Sequence, residues 1–121
     1  MIMTTTTNKE VIRKLNKGFE ACDESAILSC ITDDVYWYVP GAFTAKGKEE
    51  YRKQITNENF TNTPIITIRN EVAEGNYVAV EGHVKSQMKN GTMFEALFHN
   101  SYLMENGKVK SMTSYLVPLT N

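Results

Sequence analysis

Two Asn-Gly pairs, at residues 90–91 and 106–107, divide the C-terminal half of the chain into segments of similar length. Asn-Gly between runs of strand-forming residues is a strong hairpin signal, because both residues accept the positive φ angles of a tight turn. The flanking segments are rich in β-branched and aromatic residues, and a Gly-Asn pair at 75–76 separates one more of them. Residues 65–118 are therefore predicted to form a four-stranded antiparallel meander.

The first helix is predicted from apolar side chains that recur at helical spacing after a capping box formed by Thr7 and Glu10. These apolar positions are Val11, Ile12, Leu15, Phe19 and Cys22. Residues 1–7 precede this pattern and are interpreted as a flexible tail, so residues 8–121 are predicted to form a single domain.

Two further helices and one strand complete the N-terminal half. The segment "DESAILSCI" predicts a short helix capped by Asp23 or Ser25, and "KGKEEYRKQI" (46–55) predicts a third helix. Between them, "DVYWYVP" is a β-branched and aromatic strand that a proline ends. Because helices come early and strands late, we expect an α+β fold with helices covering one face of a bent sheet.

Composition narrows the possible partners and the compartment. The 121 residues carry a net charge of −1, from 13 basic and 14 acidic side chains, which is unlike a nucleic-acid or membrane-surface binder. The N-terminus has no apolar signal segment, and no run is long enough to span a membrane. We therefore expect a cytoplasmic protein with its two cysteines, Cys22 and Cys30, reduced.

The order of these elements, with their local sequences, resembles the nuclear transport factor 2-like superfamily. More narrowly, it resembles the SnoaL-like group, which includes polyketide cyclases and ketosteroid isomerase. The resemblance rests on "VIRKLNKGFEACDESAILSCITDDV", "WYVPG", "KGKEEYRKQI" and "YLMENGKVKSMTSYL", and it extends over residues 8–118. It implies a curved antiparallel sheet wrapped around three helices, a cone with an apolar pocket open at one end, and a homodimer formed through the sheet face.

The resemblance also implies which side chains line the pocket. On the first strand these are Val35, Trp37 and Val39, and on the last strand Met112, Ser114 and Leu116. The complete expected ligand-binding lining is Leu15, Phe19, Trp37, Val39, Ile55, Phe98, Asn100, Tyr102, Met112, Ser114 and Leu116. This lining would suit a small apolar molecule that carries one oxygen, such as a steroid or a polyketide.

Ketosteroid isomerase uses a carboxylate base and two hydrogen-bond donors, a tyrosine and a protonated aspartate. The resemblance aligns these three roles with Val39, Leu15 and Asn100. Valine cannot move a proton and leucine cannot donate a hydrogen bond, whereas the asparagine amide can donate. We therefore do not expect ketosteroid isomerase activity, although Asn100 could bind a ligand carbonyl or hydroxyl, or be a satisfied buried amide.

Glu81 and His83 are the remaining candidates for acid–base catalysis, because they lie two residues apart on one face of a strand. A two-residue turn at Asn90-Gly91 would pair Glu81 with Asn100 and bring all three polar groups together. The resemblance instead implies that Val80, Gly82 and Val84 face inward, and a β-bulge near Gly82 would reconcile the two registers by turning Glu81 and His83 outward.

Three functions are therefore compatible with the sequence. The first is a binder of apolar ligands with Asn100 as its polar contact. The second is an isomerase or cyclase that uses Glu81 and His83. The third is a non-catalytic interaction module that uses its exposed sheet face. No cofactor is expected, and no metal either, because the histidines His83 and His99 lie in separate strands without metal-binding spacing.

Overall fold

The computed structural model describes residues 5–55 and 64–119 of the chain. The helices are α1 (Thr5–Ala21), α2 (Glu24–Leu28) and α3 (Lys48–Ile55). The strands are β1 (Ile31–Val39), β2 (Phe43–Lys46), β3 (Ile65–Glu74), β4 (Tyr77–Gln87), β5 (Met93–Glu105) and β6 (Lys108–Pro118). The predicted α+β class is confirmed. None of the described helices has the length and apolarity needed to cross a membrane.

The six strands form one curved, open sheet in the order β2-β1-β6-β5-β4-β3. Strands β3 to β6 form the predicted antiparallel meander. The sheet is nevertheless mixed, because β1 pairs in parallel with β6. Strand β2 was not predicted: its four residues return from a turn at Pro40-Gly41 and pair with the end of β1, and so short a segment gives little periodicity.

The helices pack against one face of the sheet, which we call the inner face, and the opposite face is the outer face. Side chains alternate between the two faces along each strand. The buried core lies between the helices and the inner face. It contains Ile12 and Leu15 of α1, Tyr51 of α3 and inner-face residues of every strand from β1 to β6 except β3.

The helix boundaries differ in detail from the predicted ones. Helix α1 begins at Thr5, so Thr5–Thr7 are helical instead of belonging to the tail, and residues 1–4 of that tail lie outside the described part. Threonine costs a helix less than about 0.7 kcal/mol per residue, which allows the helix to continue through this run. Of the two predicted caps of α2, Asp23 is the one used, since its side chain accepts a hydrogen bond from the Ala26 amide.

The two Asn-Gly turns have different lengths. Asn106-Gly107 is the predicted two-residue turn, with φ angles of 50° and 77° and with Glu105 paired to Lys108. At the other turn, three residues separate Met88 from Thr92, and the Met88 amide donates to the Thr92 carbonyl at 2.8 Å. Gly91 has a φ of 86°, and the Asn90 side chain accepts from the Thr92 amide, as in a type I turn followed by a bulge.

The additional turn residue moves the β4–β5 register by one position relative to the prediction. Asn100 therefore pairs with Val80, and Glu81 pairs with His99. The predicted pairing of Glu81 with Asn100 is wrong, because a one-residue shift exchanges the two faces of a strand. Val80, Gly82 and Val84 face inward, as the family resemblance implied.

A β-bulge lies near Gly82, but on the neighbouring strand. Ile68 pairs with Gly82 and Asn70 pairs with Glu81, so Arg69 is the additional residue of β3. The bulge exchanges the inward and outward positions along the rest of β3. Beyond it, Glu71 faces inward and Val72 faces outward. The Val72 side chain is 62% exposed, whereas that of Glu71 is only 13% exposed.

Candidate functional site

Asn100 lies on the inner face at the middle of the sheet. Val80 of β4 and Ser114 of β6 are its direct neighbours on the adjacent strands. Its side chain is 9% exposed, and its Nδ2 donates a hydrogen bond of 3.0 Å to the Tyr102 hydroxyl. Its Oδ1 is buried and has no hydrogen-bond partner in the described part of the chain. A buried acceptor without a donor is costly, so this atom is a place for a ligand or water donor.

Trp37 of β1 bonds Ser114, the β6 neighbour of Asn100, and is fixed by both packing and this hydrogen bond. Its Nε1 donates to the Ser114 Oγ at 3.0 Å. Three aromatic rings surround the indole, with centroids 5.9, 4.9 and 4.6 Å away: Phe19, Phe43 and Tyr51. These edge and tilted contacts make Trp37 a rigid wall with its polar atom already satisfied.

Two buried tyrosines contribute hydroxyl groups to the same interior. Burial raises the pKa of Tyr51 well above its ordinary value, and the Tyr51 hydroxyl lies 3.6 Å from the Met112 sulfur. Burial also raises the pKa of Tyr102, assisted by the negative charge of Glu71, although the hydrogen bond from Asn100 acts in the opposite direction. Both tyrosines are therefore neutral at physiological pH, and they can supply hydrogen bonds but not a carboxylate-like base.

Glu71 is a charged inner-face residue that the sequence analysis missed. Its Oε1 accepts two hydrogen bonds from Arg13 of α1, at 3.0 Å from Nε and 2.7 Å from Nη2. Strict alternation from Ile66 and Ile68 would place Glu71 on the outer face, so only the bulge at Arg69 brings it inside. The bulge has no sequence signal of its own.

The expected lining residues all lie on the inner face or on the helices that cover it. Leu15 and Tyr102 are fully buried, and Phe19 and Ile55 are half-buried. The other buried members, each at most 9% exposed, are Trp37, Val39, Phe98, Asn100, Met112 and Ser114. Leu116 differs, because it is 43% exposed although it faces inward beside Phe98. Together with Ile68, which is also exposed, it marks the part of the inner face that the described helices leave uncovered.

Glu81 and His83 lie on the opposite face from Asn100, so the proposed three-residue cluster does not form. Glu81 is exposed and accepts a hydrogen bond from Asn70. His83 Nε2 lies 2.6 Å from a carboxylate oxygen of Glu95, a neighbour on the outer face. This correction follows from the three-residue loop after Met88, which sets the register of β4.

The positions that correspond to the ketosteroid isomerase base and tyrosine, Val39 and Leu15, are buried apolar side chains at 4% and 0% exposure. Neither has an atom that can transfer or donate a proton. A separate open groove of about 480 Å³ lies on the outside of α1 and α2, lined by charged residues such as Lys14, Lys17 and Asp23. Among the described residues, no three His, Cys, Asp or Glu side chains are grouped so that they could bind a metal ion.

Comparison with known proteins shows which family the chain belongs to. The SnoaL-like domain model matches residues 12–112. No curated protein sequence matches the chain. Many solved structures share the fold, and three of them illustrate its range.

TerC, crystallised with polyporic acid, is 23% identical, with a TM-score of 0.82 and 92% of each chain covered. A protein from Jannaschia sp. CCS1 assigned as a SnoaL-like polyketide cyclase is 15% identical, with a TM-score of 0.83, covering 96% of this chain and 90% of the other. An LEH-like epoxide hydrolase from M. tuberculosis is 12% identical, with a TM-score of 0.83, covering 93% of this chain and 84% of the other. At these identities the likeness concerns the fold alone.

Proposed function

Because the chain belongs to the SnoaL-like domain family of the nuclear transport factor 2-like superfamily, we propose that its inner face binds a small apolar molecule. The molecule carries an oxygen-bearing group that hydrogen-bonds to Asn100. Apolar walls with a few placed polar groups are the usual composition of a small-molecule site. Here the walls include Trp37 and Phe98, and the uncovered inner-face residues Leu116 and Ile68 provide the way in.

The observation that carries this proposal is the unpaired Oδ1 of Asn100. Buried polar atoms are almost always hydrogen-bonded, and an unpaired buried acceptor favours binding over a purely structural role. Rotation of the amide by a half-turn would let Tyr102 donate to the oxygen and would leave the NH₂ group free instead. The site can therefore bind either a ligand hydroxyl or a ligand carbonyl. A neutral polar group is favoured, because the Asn100 amide is itself neutral and bonds the hydroxyl of Tyr102.

The test uses the single tryptophan as a reporter, because Trp37 contributes one indole N–H resonance and bonds directly to Ser114 beside Asn100. The protein is titrated with 2-naphthol, 2-acetylnaphthalene and 2-naphthoate at neutral pH while this resonance is followed. We expect the two neutral compounds to shift it and the anion to bind more weakly. Asn100→Leu should weaken the binding of the neutral compounds about tenfold, the value of one net hydrogen bond.

The matched control is Asn70→Leu, the same substitution at an exposed outer-face position. It should leave every affinity unchanged. If Asn100→Leu and Asn70→Leu bind all three compounds as tightly as the wild type does, Asn100 is not the polar contact and the proposal is wrong.

A second candidate function is acid–base chemistry on the same ligand, and the inward carboxylate of Glu71 favours it. A carboxylate beside a carbonyl compound can remove an α-proton while hydrogen-bond donors stabilise the oxygen that gains charge. The fold relative assigned as a polyketide cyclase makes such chemistry a natural alternative. Exchange of the methyl protons of 2-acetylnaphthalene for deuterium measures this step directly. Acceleration by the wild type that disappears in Glu71→Gln would support catalysis, and absence of acceleration would leave binding alone.

We also propose a homodimer formed through the outer face. This face exposes Tyr36, Tyr38, Tyr77, Tyr115 and Val117. An exposed apolar surface of this extent is typical of an interaction site. Sedimentation of the wild type should give a dimer, and Tyr115→Lys should give a monomer. A wild type that remains monomeric at high concentration would rule this interface out.

A further inference from the structure

Two buried asparagines present unpaired amide atoms of opposite polarity. Asn100 has a free acceptor, Oδ1, and Asn16 of α1 has a free donor, Nδ2. Each residue is only 9% exposed. A third unpaired atom, the Oδ1 of Asn8, belongs to a side chain whose amide nitrogen already bonds the Gly75 carbonyl at the β3–β4 turn.

The contacts of α1 place Asn16 above the middle of the sheet. Arg13 lies three residues earlier and bonds Glu71 of β3, near one edge. Phe19 lies three residues later and packs on Trp37 of β1, near the other edge. Residues three apart share a helix surface, so Asn16 lies between these two contacts on the side that faces the sheet.

Asn100 occupies the corresponding middle position on the sheet. Glu71, Val80, Asn100 and Ser114 form one row across β3, β4, β5 and β6 on the inner face. Glu71 at one end bonds Arg13, and Ser114 at the other end bonds Trp37, the partner of Phe19. The contacts of Arg13 and Phe19 therefore connect α1 to this part of the inner face, and Asn16 lies between them on the side of α1 that faces the sheet.

We propose that Asn16 and Asn100 bind the same ligand atom, and that this atom is the oxygen of a neutral hydroxyl group. A hydroxyl oxygen accepts one hydrogen bond and donates another, which matches the free donor of Asn16 and the free acceptor of Asn100. With the Asn100 amide oriented as in the structure, its nitrogen bonded to Tyr102, an ether or ketone oxygen cannot donate to the free Oδ1, and a carboxylate offers no proton. This inference rests on the proposed function and extends it, because it adds Asn16 and restricts the ligand to alcohols, phenols and enols.

The unliganded protein should be less stable because of these two amides. Each leaves a desolvated polar atom without a partner, and replacing such a group by an apolar one of similar shape removes that cost. Asn16→Leu should therefore raise the urea midpoint of the free protein. Asn100→Leu also deprives the buried Tyr102 hydroxyl of its partner, so it should raise the midpoint only in a Tyr102→Phe background. If Asn16→Leu or the smaller Asn16→Ala lowers the midpoint while Asn100→Leu raises it in that background, the Asn16 amide has a structural role and the inference is overturned.

The binding test compares 2-naphthol with 2-methoxynaphthalene, in which a methyl group replaces the hydroxyl proton. Affinities are measured through the Trp37 indole resonance for the wild type, Asn16→Leu, Asn100→Leu and the double variant, with Asn70→Leu as the control. We expect each single substitution to weaken 2-naphthol binding about tenfold. The double variant should lose less than the product of the two factors, because both residues hold one atom. The affinity for 2-methoxynaphthalene should change less than twofold in Asn100→Leu, whereas Asn16→Leu should still weaken it, because an ether oxygen can accept from Asn16 but cannot donate to Asn100.

The outcomes separate this inference from the proposed function. Weakening by Asn100→Leu without weakening by Asn16→Leu would leave the proposed function intact and overturn the shared contact. Equal wild-type affinity for the two naphthalenes would overturn the hydroxyl requirement. If neither compound binds the wild type, both the proposed function and this inference are wrong.

Discussion

Gly82→Ala is the substitution that most directly tests how the inner face is formed. A Cβ atom added at Gly82 would lie 2.2 Å from the Thr67 carbonyl oxygen and 2.9 Å from Cζ of Phe98. Thr67 belongs to β3, just before the bulge at Arg69, so its carbonyl cannot retreat without disturbing the β3–β4 pairing. The close approach of these two backbones is therefore possible only because residue 82 has no side chain.

The expected cost follows from these distances. Overpacking of this kind costs about 3 kcal/mol when a backbone atom must move. Replacing glycine by alanine recovers up to about 1 kcal/mol of chain entropy. The net loss of about 2 kcal/mol should lower the melting temperature by roughly 8 °C for a chain of this size. Urea denaturation and thermal melting followed by circular dichroism measure it.

Gly18→Ala is the matched control. Its added Cβ would meet the Cγ1 of the buried Ile27 at 2.9 Å, a side-chain atom, whereas no backbone atom outside α1 lies closer than 3.4 Å. Alanine also favours the helix by about 1 kcal/mol, so this variant should lose clearly less stability than Gly82→Ala. If Gly82→Ala were equally well tolerated, the Thr67 carbonyl could not lie where the bulge places it, and the inward orientation of Glu71 would lose its basis.

Three further predictions concern individual groups. Cys22→Gly should stabilise the fold by about 1 kcal/mol in urea denaturation, because Cys22 ends α1 with a φ of 52°, which glycine adopts without strain. Ser114→Ala should destabilise it by about 1–3 kcal/mol, because the buried Trp37 N–H loses its acceptor, and the loss should shrink when measured in a Trp37→Phe background. Burial raises the pKa of Tyr51 and Tyr102 above the ordinary 10.0. As the pH rises, the two phenol groups therefore lose their protons at a lower pH in the unfolded chain than in the folded protein. Stability should therefore fall above pH 10 by about 1.4 kcal/mol per pH unit for each tyrosine, and Tyr102→Phe should remove about that much of the slope.

Local signals were sufficient to predict most of the architecture. The Asn106-Gly107 turn, the proline that ends β1 and the apolar stripe of α1 each act over a few residues, and the structure confirms the elements that they indicated. The parallel pairing of β1 with β6 depends on contacts between residues about 75 positions apart, such as Trp37 and Met112. Long-range pairing of this kind has no local turn signal, so an antiparallel sheet was expected where the sheet is mixed.

The positions of the site residues depend on two single-residue features that the sequence does not reveal. These are the three-residue loop after Met88 and the bulge at Arg69. An Asn-Gly pair favours a two-residue turn, yet the same pair also suits a three-residue loop in which only the glycine needs a positive φ. At residues 90–91 the longer loop forms, and this alone moves Glu81 and His83 to the outer face. Asn100 was identified because its inward position also followed from the family resemblance, which does not depend on the turn.

Asn16 could have been found from the sequence, because it is four residues after Ile12 and interrupts the apolar stripe of α1 with an amide. A polar residue at a core position is a local inconsistency, and such inconsistencies concentrate at functional sites. Glu71 is the second case: the bulge buries a carboxylate and exposes Val72, the reverse of what burial alone would select. Asn16 lies on α1 between Arg13, which bonds Glu71, and Phe19, and Asn100 lies in the same inner-face row as Glu71. The unpaired amide atoms of Asn16 and Asn100 cost the free protein stability that a ligand would restore by pairing them, and this cost supports the proposed ligand site.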